Sequence, residues 1–297
     1  VKEADKILDN RKYNGSKNFK DYLKKPSHKT FVFKLCDPIE VQLLIKELNI
    51  SKASRPNGIP TKILHMLSNI ISTPLTRIIN TSITTGIHPE KLKLSNVIPI
   101  FKKGSRTLVS NYRPISLLSN INKIFEKIMY KRIYDFIEQN DFLYNLQFGF
   151  RAKHSTSHAL INITDKIQNA LDQGNVACGI FVDLQKAFDT VNHNILLNKL
   201  NFYGFRGIIN EWFKSYLIER KQRVCINGFY SQTKTLNHGV PQGSVLGPIF
   251  FLLYINDLNS CIKYSTTFHF ADDTNLLNIS RNYKILQKQI NHDLKGS

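Results

Sequence analysis

Near the C-terminal end of the sequence, Asp272 and Asp273 stand side by side in "TTFHFADDTNLLNI", a run that is otherwise mostly apolar or hydroxylated, with His269, Asn275 and Asn278 the exceptions. A third aspartate, Asp183, closes the apolar stretch "GIFVDL". Clustered carboxylates repel one another, and partial burial raises their pKa values unless a cation compensates. A divalent metal ion is the simplest compensation. Hard oxygen ligands, with no Cys and a single His, His269, close by in sequence, favour Mg²⁺ over Zn²⁺. Two such ions roughly 3.5–4 Å apart can activate a hydroxyl nucleophile and stabilise the leaving oxygen of an in-line phosphoryl displacement, which is nucleotidyl-transfer chemistry. Taken alone, the Asp272–Asp273 pair also fits a plain polar hairpin turn, where Asp is common.

The elements that must position these residues can be read from periodicity. Thr266 to Phe270, a tight turn at Ala271 to Asp273, and Asn275 to Ile279 make a β-hairpin with the aspartates at its tip. "VACGIFVDL" is a short, continuously apolar strand ending at Asp183. Neighbouring strands lie about 4.8 Å apart, so pairing of these strands would bring Asp183 and Asp272 together on one sheet edge. Upstream, Ile121, Ile124, Phe125, Ile128, Met129, Ile133, Phe136 and Ile137 form one face of a helix that Ser119 can cap. A second helix, Ser157 to Leu171, turns Leu160, Ile163, Ile167 and Leu171 inward and stops at Gly174. Helical patterns also cover Asp37 to Asn49, Thr61 to Asn80, "NILLNKL" and "IINEWFKSYLIERK". "NVIPIF" reads as a strand, Asn227-Gly228 as a hairpin turn, and "SKASRPNGIP", with Pro56, Asn57, Gly58 and Pro60, as a loop. The mixture gives an α+β or α/β class.

Composition narrows the partners. A formal net charge of +19, from 41 Lys and Arg against 22 Asp and Glu, asks for a polyanion, with nucleic acid first. The apolar run "VLGPIFFLLYI" is about half a membrane-spanning length and reads as buried. Cys36, Cys178, Cys225 and Cys261 are scattered without a CxxC pair, which argues against a zinc knuckle or a disulfide framework and fits a reducing, intracellular setting. His154 and His158 have a chelating i, i+4 spacing but no third ligand in sight. Residues 1–36 are lysine-rich and weakly periodic, and are expected to form a basic lead-in or loosely packed basic arm, with a solvated helix face as the alternative.

Three segments in order, "GIFVDLQKAFDTV", "GVPQGSVLGPIFFLLYINDL" and "FHFADDTNLL", closely resemble the palm motifs of reverse transcriptases. Upstream, "VIPIFKKGSRTLVSNYRPISLLSNINKIFEKIM" and "LQFGFRAKHSTSHAL" are similar to fingers segments of the non-LTR, LINE-type branch, most like jockey-type elements. The resemblance implies a right-hand polymerase with fingers over 37–174 and an antiparallel palm sheet over 175–297. By that resemblance Asp183, Asp272 and Asp273 are the catalytic carboxylates and ligands of two Mg²⁺ ions, with Mn²⁺ a substitute. Phe188 would press on the sugar of the incoming nucleotide and exclude a ribose 2′-hydroxyl. Gln242 would lie beside the nucleotide pocket, with Pro241 and Gly243 shaping its turn between Gly239 and Gly247. Arg113, Lys123 and Arg151 are the candidates to hold the triphosphate or the template backbone. Asp189 is family-typical without a role assigned to it.

The implied partners are an RNA template, a DNA primer or target and dNTPs, in a cytoplasmic ribonucleoprotein and the nucleus, with no membrane. Two departures stand out. Asn57 replaces the aspartate usual in a Pro-Asp-Gly motif, and "HDLKGS" comes before the lysine-bearing motif and thumb expected to follow the hairpin. The resemblance also implies an endonuclease domain upstream, and the sequence is expected to be a fragment. Two rivals remain: an RNA-templated RNA polymerase, against which Phe188 argues, and a nucleic-acid-binding remnant without turnover, against which the intact aspartates argue.

Overall fold

A computed structural model of the chain describes residues 19–23, 26–50 and 59–296. The expected loop residues Pro56, Asn57 and Gly58, and most of the basic lead-in, lie outside them. Helices α1 (Pro38–Lys46), α2 (Thr61–Met66) and α3 (Ser68–Thr85) lead to strands β1 (Leu94–Phe101) and β2 (Tyr112–Leu117). Two long helices follow, α4 (Asn120–Gln139) and α5 (Thr156–Asp172), and then strand β3 (Val176–Asp183). Helices α6 (His193–Phe202) and α7 (Ile208–Leu217) precede β4 (Lys221–Ile226), β5 (Phe229–Tyr230) and β6 (Lys234–Thr235). The last elements are α8 (Gly247–Ile255), β7 (Thr266–Phe270), β8 (Asp273–Ser280) and α9 (Tyr283–Gly296).

Local chemistry explains most of these boundaries. Asp37 caps α1, accepting the Ile39 and Glu40 N–H groups at 2.9 Å, and Ser119 caps α4 through the Asn122 N–H at 3.1 Å. Asn227 and Gly228 both take positive φ, 49° and 86°, the sign pattern of a type I′ turn between β4 and β5. The single helix expected over Thr61 to Asn80 is two: the backbone leaves the helical region at Leu67 (φ −97°, ψ 10°), and α3 runs on to Thr85. That break lets α3 present Leu75, Ile79 and Ile83 to the core.

The sheets have different roles. The larger runs β2-β1-β4-β5, with β6 also on β4, and pairs β1 antiparallel to β2 but parallel to β4. The smaller is fully antiparallel, in the order β3-β8-β7. A main core fills the space among α1, α3, α4, α6, α7 and α8, so it crosses the boundary expected at residue 174. Helix α8, apolar on every side, is its centre, with Phe250, Phe251 and Leu253 at 1% exposure or less. Among the described residues no helix is long and apolar enough to cross a membrane.

Two expectations need correction. Leu160 and Leu171 do not face inward; they are 62% and 55% exposed, while Ala159 and Ala170 are buried. Helix α5 sits on the small sheet through its small side chains, which allow close approach, with Ile163 and Ile167 packed beside Phe148, Phe268 and Leu277. The lead-in is also not loose throughout: Phe31 is buried against Phe136 and Phe205, and its N–H donates to the Gly204 carbonyl at 3.0 Å.

His88 is buried edge-on among Phe125, Trp212 and Tyr216, and burial lowers its pKa from 6.5 to about 3. The unfolded chain therefore takes up a proton near pH 6.5 that the native fold refuses, and stability present above that pH is lost as pH falls towards 3. His88→Phe keeps the aromatic packing and removes this titration. In urea unfolding, lowering the pH from 6.5 to 5 is expected to cost the parent about 1.6 kcal/mol more than the variant. Equal losses would mean that His88 does not remain neutral in the fold.

Candidate active site

The end of the small sheet is built by strand register. Strands β3 and β8 pair over their whole length, from Val176 opposite Ser280 to Asp183 opposite Asp273. Strand β7 returns to β8 with Phe270 opposite Asp273, leaving Ala271 and Asp272 as a two-residue turn. The turn is thus one residue shorter than expected, and Asp273 begins β8. The residue facing Asp183 across the sheet is Asp273, not Asp272, because β8 and not β7 is the neighbour of β3. Directly opposed residues share a face, so the Asp183 and Asp273 side chains project together. Ala271 has φ +58° and Asp272 does not have positive φ, as in a type II′ turn, which places Asp272 at the tip.

Alternation puts Phe181 and Asn275 on the same face as Asp183 and Asp273. Helix α5 covers the far part of that face around Leu277 and Phe268. Near the aspartates it is open, and Phe181 is 81% exposed. Asp183 and Asp273 are exposed and Asp272 is half-buried. None of the three is engaged in an ion pair or side-chain hydrogen bond among the described residues. Nor do three His, Cys, Asp or Glu side chains converge into a closed metal cage among those residues. The donor set fits Mg²⁺, which binds through one or two carboxylates, waters and substrate phosphates rather than through an all-protein cage.

The loop from Gly239 to Gly247 brings further residues to this region by backbone hydrogen bonds. Val240 N–H donates to the Phe188 carbonyl and Gly239 N–H to that of Val191, both at 2.8 Å. At the other end, the Gln242 carbonyl accepts the Ser116 N–H at 2.8 Å, fastening the loop to β2. Gly243 has φ +114°, and a Cβ there would lie 2.8 Å from the Ser116 carbonyl oxygen, so the crossing requires glycine. Phe188, between β3 and α6, is thereby tied to the loop that carries Gln242, and Arg113, exposed on β2, stands two residues before Ile115, which lies against Gly243. Phe188 is half-buried, stacked on Phe251 at 4.7 Å and edge-on to Phe150 at 6.0 Å.

The loop is anchored from below by a residue that sequence reading passed over. Glu126, fully buried on α4, accepts the Val245 N–H and the Tyr216 hydroxyl, both at 2.6 Å, and the Asn122 amide at 2.8 Å. Burial pushes its pKa up, against the pull of these hydrogen bonds and of nearby Arg220. Asp189 next to Phe188 is likewise raised by burial, with Lys186 pulling the other way. Glu126 carries no local sequence signal, since a Glu within an amphipathic helix reads as solvent-facing.

The basic residues divide. Arg113 is exposed, and Lys123 is half-buried in the first turn of α4. Arg151 is committed: its guanidinium makes a two-pronged pair with Glu138 at 3.2 Å and donates to the Tyr144 carbonyl at 3.3 Å, tying its segment to α4. His154 is also occupied, its Nδ1 lying 2.9 Å from the Ala152 carbonyl, and His158 is exposed.

Comparison with known proteins gives the family. The family described as "Reverse transcriptase (RNA-dependent DNA polymerase)" matches residues 100–294. The probable RNA-directed DNA polymerase from transposon BS of Drosophila melanogaster is 31% identical over 259 residues, covering 85% of this chain and 27% of that protein. The RNA-directed DNA polymerase from mobile element jockey of the same organism is 32% identical over 239 residues, 80% of this chain and 26% of its own length. The chain therefore spans about a quarter of these relatives. Among solved structures, an apo telomerase of Candida tropicalis truncated from its C-terminal domain superposes with a TM-score of 0.46 at 15% identity, covering 70% of this chain and 47% of that one. By its family match over residues 100–294, the chain belongs to the reverse transcriptases.

Proposed function

We propose that this chain carries the polymerising centre of an RNA-directed DNA polymerase of a non-LTR, jockey-like retrotransposon. It would add dNTPs to a primer 3′-hydroxyl on an RNA template and release pyrophosphate. The observation that carries the reading is the pairing of Asp183 with Asp273 beside a turn tipped by Asp272, with no protein cation engaging them among the described residues. Asp183, Asp272 and Asp273 would hold two Mg²⁺ ions, for which Mn²⁺ can substitute; bound there, the ions activate the attacking hydroxyl and stabilise the leaving oxygen.

The protein's own share is positioning. Phe188, braced by Phe251 and by the Val240 N–H on its carbonyl, would set the floor under the sugar and exclude a 2′-hydroxyl. Gln242, fixed to β2, would stand beside the base and sugar. Arg113 and Lys123 would meet phosphate oxygens, where the planar fork of arginine suits two acceptors at once. Arg151, spent on Glu138, is assigned to the scaffold. The net charge of +19 would hold template and primer largely through phosphates, so affinity should fall steeply with salt.

Primer extension on an RNA template tests the reading. With a DNA primer, dNTPs and Mg²⁺, the parent is expected to extend, and Asp183→Asn or Asp272→Asn to lose on the order of 10³-fold in rate while still binding the duplex. Binding without extension by the parent would leave a nucleic-acid-binding remnant. Phe188→Val should raise incorporation of ribonucleotides relative to deoxynucleotides by about 10- to 200-fold. A parent that already prefers ribonucleotides would instead indicate an RNA polymerase.

A further inference from the structure

The aspartate turn is held from outside the hairpin. Residues Leu146 to Gly149 run beside β7 as a short parallel extension of the small sheet, bridged at Gln147 and His269. His269 N–H donates to the Leu146 carbonyl at 2.9 Å, and Phe148 N–H donates to the His269 carbonyl at 2.8 Å. At its end, Gln147, buried at 3% exposure, turns its Oε1 to two backbone donors: the Ala271 N–H at 3.1 Å and the Gly149 N–H at 2.9 Å. Contact beyond the amide is closer still. A Cβ on Gly149 would stand 2.2 Å from the Ala271 nitrogen and 2.9 Å from the Phe270 carbonyl carbon.

Ala271 is the residue in need of support. It sits at φ +58°, where a non-glycine residue is strained and persists only if its surroundings impose that conformation. Asp272 follows it directly and Asp273 comes next as the first residue of β8, so the angle at Ala271 bears on where both carboxylates point. The chemistry of the holder matches the task. A glutamine amide oxygen accepts two N–H groups without adding a fourth negative charge beside the three aspartates. Asparagine, one methylene shorter, would not span the same gap.

We propose that Gln147, with Gly149 packed against the turn, is a positioning residue for polymerisation: it touches no substrate but fixes Ala271 in the left-handed conformation that aims Asp272 and Asp273 at the metal ions. This rests on the polymerase reading given above for those aspartates.

The test uses the full chain and two readouts. Gln147→Met keeps the volume and loses the acceptor. Its affinity for Mn²⁺ alone, read from the free-ion electron paramagnetic resonance signal, is expected to fall by about 10- to 100-fold, the usual effect of removing a group that orients metal ligands. The extension kcat should fall in parallel, with the dNTP KM within about twofold and duplex affinity unchanged. Adding Ala271→Gly, which adopts a positive φ without support, should recover at least about tenfold of the loss. Mn²⁺ affinity and kcat equal to the parent in Gln147→Met, or no recovery in the double variant, would overturn the proposal. So would loss of cooperative unfolding in both Gln147→Met and Gly149→Ala, which would make the contact one of folding rather than positioning. A parent that binds Mn²⁺ through its aspartates yet extends no primer would remove the polymerase reading alone, and the Mn²⁺ arm would still decide the role of Gln147.

Discussion

Side-chain direction alternates along a strand, so a slip of one residue between β3 and β8 would send Asp183 to the opposite face from Asp273. The register of that pair is the constraint on which the site depends, and both faces enforce it. One face buries Thr267, His269, Thr274, Leu276 and Asn278; the other buries Phe268 and Leu277 beneath α5 and leaves the aspartate end open. Because neither face is wholly polar or wholly exposed, a shifted pairing would bury carboxylates and expose core residues together. The two-residue turn at Ala271 and Asp272 then has no freedom in length, and its strained angle must be supported from the neighbouring segment at Gln147.

The fold spends its carboxylates in two ways. Glu126 is saturated by three donors and anchors the Gln242 loop to α4. Asp293 on α9 likewise accepts the backbone N–H groups of Lys263, Tyr264 and Ser265, at 3.0, 3.2 and 2.8 Å, and the Ser265 hydroxyl at 2.7 Å, which fixes the entry to β7. Burial opposes its ionisation, but these hydrogen bonds outweigh the opposition and leave its pKa lowered. The aspartates at the sheet end receive no such side-chain partners among the described residues, which would leave their lone pairs for the proposed cations. Structural and chemical carboxylates are thus separated by what surrounds them rather than by residue type.

Much of this was legible in the sequence where the signal is local. The α4 face, its Ser119 cap and the turn at Asn227-Gly228 follow from short-range patterns, as does the hairpin that carries Asp272. Long-range facts were not. That β8 rather than β7 borders β3, so that Asp273 faces Asp183, depends on a pairing over about ninety residues that no local pattern specifies. Leucine spacing misplaced the α5 face because alanines, small enough for close helix–sheet contact, take the buried positions. Gln147 and Glu126 act by accepting backbone N–H groups from distant segments, and although both lie in stretches that carry the family resemblance, no local pattern gives either that role. Arg151 reads as a free cation until Glu138, a turn of chain away across the loop, is seen to claim it.

The proposed site makes Asp183, Asp272 and Asp273 one cation-binding end of the small sheet. Iron-directed backbone cleavage addresses it most directly: Fe²⁺ is substituted for Mg²⁺, peroxide and ascorbate are added, and the cut sites are mapped. The account predicts scission clustered next to Asp183 and at Ala271–Asp273, suppressed by excess Mg²⁺ and lost in Asp183→Asn. Cuts concentrated elsewhere, or cuts at the hairpin that persist in Asp183→Asn, would contradict a shared site across the paired strands.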